Sequence, residues 1–549
     1  MPTHFNKLLI RTNSNSRDID QSIGEQVNIP GREPISIVET LPSLANLWDD
    51  AHAVVSENPE IRFAEPEVNS SAPFFAYSED AEERGSAIPV NQNEFIDYWP
   101  HPETPGVWHL GDEFSQLSKA RAEIAAIPVR RVVRIAHLDT GYSAKHLSTP
   151  ISLIRKDLER NFVDDEQDRW NNAEDPYSSG TLKMPGHGTG TLSILAGAKM
   201  AMPACDFEDY IGLYDQVEIV PIRIAASVVL LKSAAFVKAL DYIVNELYPD
   251  AEKRVHIVTM SMGGVASGAW ADLVNLAYEK GIFIVTAAGN NFNKLPARTM
   301  IFPARFNRVL AACGVTFDLS PYAKINGGSS FRVMEGNYGP KALMDTALAA
   351  FTPNVPWANY NHNNVVSIRG DGTSSATPQI AAAAALYHIK YFDELMALPE
   401  GWMRVEAIRH ALFESAKKTM AGSSRDYRKY FGQGILQAAD ALKIQVASPQ
   451  SLTKEKEDKV SFPLLKVIFG LRAIEDENYK EDEMLETELM QLVITDPILQ
   501  NILDQEEKDA EDLDDKEQVR IADAVIDNPH ASLKLKEKMQ QILNQANFN

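Results

Sequence analysis

Gly372-Thr-Ser-Ser-Ala-Thr-Pro-Gln-Ile-Ala-Ala-Ala-Ala-Ala-Leu386 is the stretch on which the reading of this chain turns. Small residues give way to a long alanine-rich apolar run, the pattern of a tight entry into a buried helix. A serine at such a start, here Ser374, lies near backbone N–H groups that the helix leaves unpaired and that favour developing negative charge. Most serines at helix starts only cap them. Ser374 therefore becomes a nucleophile candidate only if a base, an acid to orient it and donors for an oxyanion occur elsewhere.

Moving towards the N-terminus, each part has a candidate and a plainer alternative. Asn290 closes Ile284-Val-Thr-Ala-Ala-Gly-Asn; its amide could donate to an oxyanion together with the Ser374 backbone N–H, or it is a turn asparagine after a strand. His187 lies in Pro185-Gly-His-Gly-Thr-Gly-Thr, with glycines on both sides that let backbone approach a substrate. It is the candidate base, or a structural histidine at a turn. Asp139 ends the apolar run Val132-Val-Arg-Ile-Ala-His-Leu-Asp. The C-terminal edge of a parallel sheet is where ligands and catalysts collect, so it is the candidate orienting acid; a turn-capping aspartate is the alternative. His137 shares its strand face and reads as packing.

Further apolar runs occur at Val217-Glu-Ile-Val-Pro-Ile-Arg-Ile, His256-Ile-Val-Thr-Met and Ile282-Phe-Ile-Val-Thr-Ala-Ala. Segments of helical length, Ser233 to Leu247 and Ala269 to Lys280, separate the last three. Strand–helix alternation of this kind predicts an α/β fold: a mainly parallel sheet with helices on both faces, in three layers.

Taken together these residues resemble the subtilisin-like serine proteases, the subtilases. Asp-Thr-Gly, Gly-His-Gly-Thr and Gly-Thr-Ser-x-Ala-Thr-Pro occur in the order Asp, His, Ser known for that family. Ser261, Met262, Gly263 and Gly264 look like its substrate-binding strand, and Ala287-Ala-Gly-Asn like its oxyanion segment. Phe302-Pro-Ala resembles a segment that often holds a cis peptide, and Asn337-Tyr-Gly-Pro and Phe431-Gly-Gln-Gly-Ile-Leu-Gln-Ala resemble later landmarks. The resemblance covers about 100 to 447. It implies a serine endopeptidase with Asp139, His187 and Ser374 as triad, acting on protein or peptide substrate held as an extended strand between Ser261–Gly264 and a segment near Ser227 to Leu231. Since an imidazole must be neutral to act as base, activity is expected to fall as pH drops through about 6 to 7. A non-catalytic binding scaffold and an acyl transfer to an amine remain open beside hydrolysis.

Three departures from the family pattern stand out. Gly190 occupies the place of a common second histidine, Lys183 precedes the His187 loop where an acid is frequent, and Ser375 replaces a methionine. No cofactor is expected. Calcium occurs in acidic loops of relatives, but Asn161-Phe-Val-Asp-Asp-Glu-Gln-Asp-Arg-Trp reads as a solvated loop without ligand spacing.

The zones divide as 1–75, an N-terminal region with one compact-looking segment, Ile35 to Val68; 76–100, a charged linker; 101–447, the peptidase-like domain; and 448–549, an acidic helical region. Asn58-Pro-Glu-Ile-Arg-Phe-Ala-Glu-Pro-Glu-Val resembles the end of the family's propeptide, implying a zymogen cut between Val68 and Trp108. The net charge is −23 over 549 residues, and about half of it falls after 450. Such a charge argues against nucleic acid. Leu485, Leu489, Leu492 and Val493 recur at helical spacing, which suggests a regulatory or partner-binding appendage. Val493-Ile-Thr-Asp-Pro and Val525-Ile-Asp-Asn-Pro each predict an Asp or Asn N-cap before a helix-starting proline. No apolar run is long enough for a membrane span and none near Met1 resembles a signal peptide. Cys205 and Cys313 read as reduced thiols, and the whole as a cytoplasmic protein.

Overall fold

The computed structural model describes residues 6–12, 26–29, 33–40, 46–67, 96, 99–103, 106–128, 131–177, 184–203, 206–213, 217–228, 232–292, 298–323, 334–359, 362–422, 426–460, 479–503 and 515–546. Lys183, Cys205 and nearly all of the linker expected over 76–100 lie outside them.

The N-terminal zone is a four-stranded antiparallel sheet of β1 (Asn6–Thr12), β2 (Gln26–Val27), β3 (Ile35–Thr40) and β4 (Ile61–Pro66), in the order β2-β3-β1-β4. Helix α1 (Leu47–Glu57) packs on it, started by the Asn46 side chain, which accepts from the Trp48 N–H at 2.9 Å. The sequence pointed to Ile35–Val68 as the compact part, yet β1 is an inner strand. Leu8 and Ile10 bury against Trp48 and Phe63, while Leu9 joins Val27 and Ile35 on the opposite face. Both faces are covered, so β1 lacks the polar alternation that marks a half-exposed strand.

The large domain is built on seven parallel strands: β5 (Val133–Asp139), β6 (Arg160–Asn161), β7 (Val217–Arg223), β8 (Ile257–Met260), β9 (Phe283–Ala287), β10 (Leu310–Val315) and β11 (Ala347–Phe351), ordered β11-β10-β9-β8-β5-β7-β6. On one face Val133 and Ile135 of β5 pack with α2 (His187–Ala196) and α5 (Gly372–Lys390). Five successive alanines, Ala381 to Ala385, are all buried there and let α5 lie close to the sheet. On the other face Ala136 and Leu138 pack in a core shared with α3 (Ser233–Asp241) and α4 (Gly268–Lys280).

The region after 448 returns to the N-terminal sheet. It forms α6 (Tyr479–Thr495), α7 (Pro497–Leu503), α8 (Asp515–Asp527) and α9 (Leu533–Ala546). Leu485, Leu489, Leu492 and Val493 are buried in the core that holds α3 and α4. The apolar stripe expected to receive a partner is thus occupied by the chain itself. Asp496 caps α7 as predicted, accepting from the N–H groups of Ile498 and Leu499 at 2.7 and 3.0 Å. The second break differs. Asn528 accepts from the His530 N–H at 2.8 Å in a turn, and the cap of α9 is Ser532, whose Oγ accepts from Leu535 N–H at 3.1 Å. The Asn528 amide instead reaches Asp496 at 2.8 Å, tying the two breaks together.

Three parts of the chain meet at Arg11. Its guanidinium pairs with Asp272 of α4 and Glu483 of α6, both at 2.7 Å. Close by, the Glu65 carboxylate caps α4, accepting from Ser267 Oγ at 2.7 Å and the Gly268 N–H at 2.9 Å. Gln491 of α6 accepts from Trp48 Nε1 at 3.0 Å and donates to the Ala266 carbonyl at 2.9 Å. Glu488, with 0% exposure, accepts from Ser532 N–H at 2.6 Å and Ser532 Oγ at 2.8 Å, with His52 Nε2 at 3.2 Å. The helices of the C-terminal region therefore clasp the N-terminal sheet onto the large domain.

Candidate active site

Asp139 ends β5 with its carboxylate wholly buried. Oδ1 accepts from the Thr140 N–H at 2.7 Å and from His187 Nδ1 at 2.8 Å; Oδ2 accepts from Thr191 Oγ1 at 2.9 Å. Burial pushes the carboxyl upward, but the imidazole of His187 and the donated hydrogen bonds outweigh it, and the net direction is down. The loop after it is held by Arg223, which donates to the Thr140 carbonyl and pairs with Glu166.

His187 is the first residue of α2. Asp175 sets the approach, its Oδ2 accepting from the Gly186 N–H at 2.7 Å. Thr140 Oγ1 accepts from the Gly188 N–H at 3.0 Å. A Cβ on Gly188 would lie 2.0 Å from the Gly141 carbonyl oxygen, so only glycine lets the helix start come this near the Asp139 loop. Gly190 is explained in the same way. A Cβ there would lie 2.0 Å from the Trp357 indole, and that indole stands edge-on to the His187 ring with centroids 5.4 Å apart. Trp357 fills the space that a side chain at 190 would need, and it covers the imidazole. Nothing in the sequence around Val355-Pro-Trp-Ala marks it for this place.

Ser374 is the third residue of α5. Of the first-turn N–H groups, that of Gly372 goes to Tyr322 Oη at 3.1 Å and that of Thr373 to Asn290 Oδ1 at 2.8 Å. The helix offers the Ser374 N–H no partner four residues back, since Gly370 belongs to a strand. Pro378 supplies a further effect. It has no N–H to give the Ser374 carbonyl, and Ser261 Oγ donates to that carbonyl instead, at 3.0 Å. Ser374 Oγ in turn donates to the Ser261 carbonyl at 3.0 Å. Among the described residues no hydrogen bond joins Ser374 to His187. The sequence reading placed Ser261 in a substrate-binding strand and gave its hydroxyl no role, although a proline four residues after Ser374 announces a carbonyl in need of a donor.

Asn290 stands beside this turn. Its Oδ1 is engaged by Thr373, which fixes the amide and leaves Nδ2 as the free-facing donor end, near Gly372. The Ser261–Gly264 segment follows β8. Its Ser261 carbonyl is taken by Ser374, and Gly264 pairs with Phe302 through bonds of 2.8 and 3.2 Å. Met262 is buried. Of the segment expected to face it, Val229, Leu230 and Leu231 lie outside the described residues. Ser375 turns its hydroxyl to the Asp371 carbonyl at 2.9 Å. The Phe302–Pro303 peptide is cis. Cys313 is buried as a free thiol, and among the described residues no group of three or more His, Cys, Asp or Glu could hold a metal ion.

A family model described as the subtilase family matches residues 130–434, more than half of the chain. The chain belongs to the subtilase family. Among individual proteins, this subtilase is 31% identical to subtilisin DY of Bacillus licheniformis over 25% of its own length and 43% of that relative. It is 27% identical to a subtilisin of Bacillus pumilus over 36% of its own length and 59% of the relative. The matched stretches thus span only about half of these relatives. A solved structure, that of the prenylagaramide maturation protease PagA, aligns over 58% of this chain and 94% of that one, with 19% identity and a TM-score of 0.39. Among the described residues no helix is long and apolar enough to cross a membrane.

Proposed function

We propose that this subtilase is a serine endopeptidase that cleaves protein or peptide substrates through an acyl-enzyme on Ser374. The observation that carries the reading is the His187–Asp139 hydrogen bond of 2.8 Å, made within a buried site beside the first turn of α5. With Nδ1 spent on Asp139, His187 presents Nε2 as the base. Ser374 leaves the Ser261 carbonyl by a side-chain rotation, gives its proton to Nε2 and attacks the peptide carbonyl. The Ser374 N–H and Asn290 Nδ2 receive the oxyanion; its collapse breaks the C–N bond as His187 Nε2 gives its proton to the departing amine. A water that loses a proton to Nε2 then releases the acyl group, and the proton returns to Ser374. Labelling with a fluorophosphonate probe tests this. The wild-type chain is expected to label on Ser374 and Ser374→Ala to stay unlabelled; an unlabelled wild type with an open cleft would remove the enzyme reading.

Control belongs to the flanks in the same proposal. The N-terminal sheet acts as a pro-region whose Glu65 caps α4, with the chain cut between Val68 and Trp108, and the C-terminal helices hold that region in place. The caps and the Arg11 and Glu488 contacts support this arrangement. Intact mass after incubation should shorten for the wild type and not for Ser374→Ala.

A further inference from the structure

His137 looks like packing in the sequence, two residues before Asp139 on the same strand face. The structure gives it a partner. His137 Nε2 lies 2.9 Å from Thr191 Oγ1, and the same hydroxyl donates to Asp139 Oδ2 at 2.9 Å. A hydroxyl has one proton. If Thr191 spends it on Asp139, the contact with His137 must be one in which the ring donates, so His137 is the neutral tautomer carrying its proton on Nε2. The three groups form a directed chain, His137 Nε2–H to Thr191 Oγ1–H to Asp139 Oδ2. It ends on the carboxylate oxygen that His187 does not use.

We infer that His137 and Thr191 are positioning residues, a buried relay that holds Asp139 turned towards His187. This rests on the peptidase reading above. The relay is enclosed: His137, Thr191 and Asp139 are all buried. The strands flanking His137 face it with Pro221 and Thr259, neither of which titrates. The titratable groups that face the relay are Asp139 on its own strand and His187 on α2. Asp175 interacts with Asp139 from the loop before α2, and Arg223 with Asp175 from β7. Burial pushes His137 down, against the pull of Asp139 3.8 Å away, which favours the neutral ring the chain of donors requires.

The relay does two things for Asp139. It fixes the torsion of the carboxylate, because if Oδ2 left Thr191 the buried hydroxyl would keep only its longer contact, 3.3 Å, with the Gly188 carbonyl. It also draws off part of the charge that Asp139 presents to His187, which sets how readily the imidazole takes up a proton. Neither group touches the reacting atoms; both act through Asp139.

Thr191→Val removes the hydroxyl with little change of shape, and Thr191→Ser restores it. In the full chain, kcat on a chromogenic peptide should fall about tenfold in Thr191→Val with KM unchanged, the loss of about one charge-assisted hydrogen bond. Without its donor Asp139 carries more charge towards His187, so the acid limb of kcat/KM should move up by about half a pH unit. Thr191→Ser should recover both. The low-field proton resonance of the His187 Nδ1–H should shift in Thr191→Val and return in Thr191→Ser, a readout that needs no turnover. If the wild type neither labels nor cleaves, the peptidase reading fails while the resonance still reports on the relay. A Thr191→Val protein with wild-type resonance, rate and pH profile would overturn the inference.

Discussion

Glu488→Ala would test whether the C-terminal helices clasp the N-terminal sheet. The carboxylate has 0% exposure, and its oxygens receive the Ser532 N–H at 2.6 Å, the Ser532 hydroxyl at 2.8 Å and His52 at 3.2 Å. Alanine leaves these buried donors without an acceptor and removes the link between α6, the cap of α9 and α1. Breaking one side of a buried charged contact costs about 3–5 kcal/mol, and each stranded donor costs about 1–3 kcal/mol. These are overlapping counts of one event, so about 4 kcal/mol is expected for the local cost. At 1.4 kcal/mol per factor of ten this raises the opening of the helices about 10³-fold. Hydrogen exchange read by mass spectrometry is the assay. Peptides from 479–503 and 515–546 should exchange up to about 10³-fold faster, with those from α1 following, while α5 at the centre of the large domain keeps its protection. Unchanged exchange in α6 and α9 would refute the clasp. Equal acceleration in α5 would show one cooperative unit with no clasp to release.

Gly190→Ala places a methyl group where Trp357 lies. Overpacking of this kind costs about 1–3 kcal/mol, so the urea midpoint should drop and Trp357 fluorescence should change; an unaltered midpoint would contradict the close packing. Asn290→Ala should lower kcat by about 10²–10³ with little effect on KM, the magnitude known for removing an asparagine oxyanion donor from subtilisin. A kcat within threefold of wild type would remove Asn290 from the oxyanion role. Asp458 accepts from the N–H groups of Asn307 and Arg308 at 2.7 and 2.9 Å, and burial pushes it up to about 6 from an ordinary 3.8. The folded state therefore holds an extra proton between about pH 4 and 6. This contribution is full below about pH 4 and lost as pH rises through about 6. Thermal unfolding from pH 4 to 7 should show that decline in the wild type and a flatter line in Asp458→Asn.

Four of the seven strands, β5, β7, β8 and β9, were legible because each is a short apolar run, and helical spacing marked the connections between the last three; β6 is only Arg160–Asn161, too short and polar to leave such a trace. The glycines beside His187 were legible as close approach, though not what approached. Gly188 meets the Gly141 carbonyl and Gly190 meets Trp357, and the second of these is separated from its glycine by more than 160 positions. Ser374 could be read as the start of a helix, but the direction of its hydroxyl depends on the Ser261 carbonyl, which only the folded turn brings near. His137 looked inert for a related reason: its partner Thr191 is on another element, and a hydrogen bond between side chains leaves no periodic trace. The C-terminal stripe was visible as amphipathic, but amphipathicity says only that an apolar face needs cover. That the cover is the core around α3 and α4, with polar residues of the same helix tied to Arg11, Trp48 and His52, is announced by no local pattern.

The contacts of β1 and α1 with α6, Arg11 with Glu483 and His52 with Glu488, also set an order in time. A ribosome makes the N-terminal sheet first, the large domain next and α6 to α9 last. At about 5–20 residues per second, the roughly hundred residues after Val446 take some 5–20 s to emerge. During that interval the large domain is complete while its fastening is still being translated. Any chain stopped short in that stretch keeps Asp139, His187 and Ser374 and lacks the helices that tie the N-terminal sheet to the large domain.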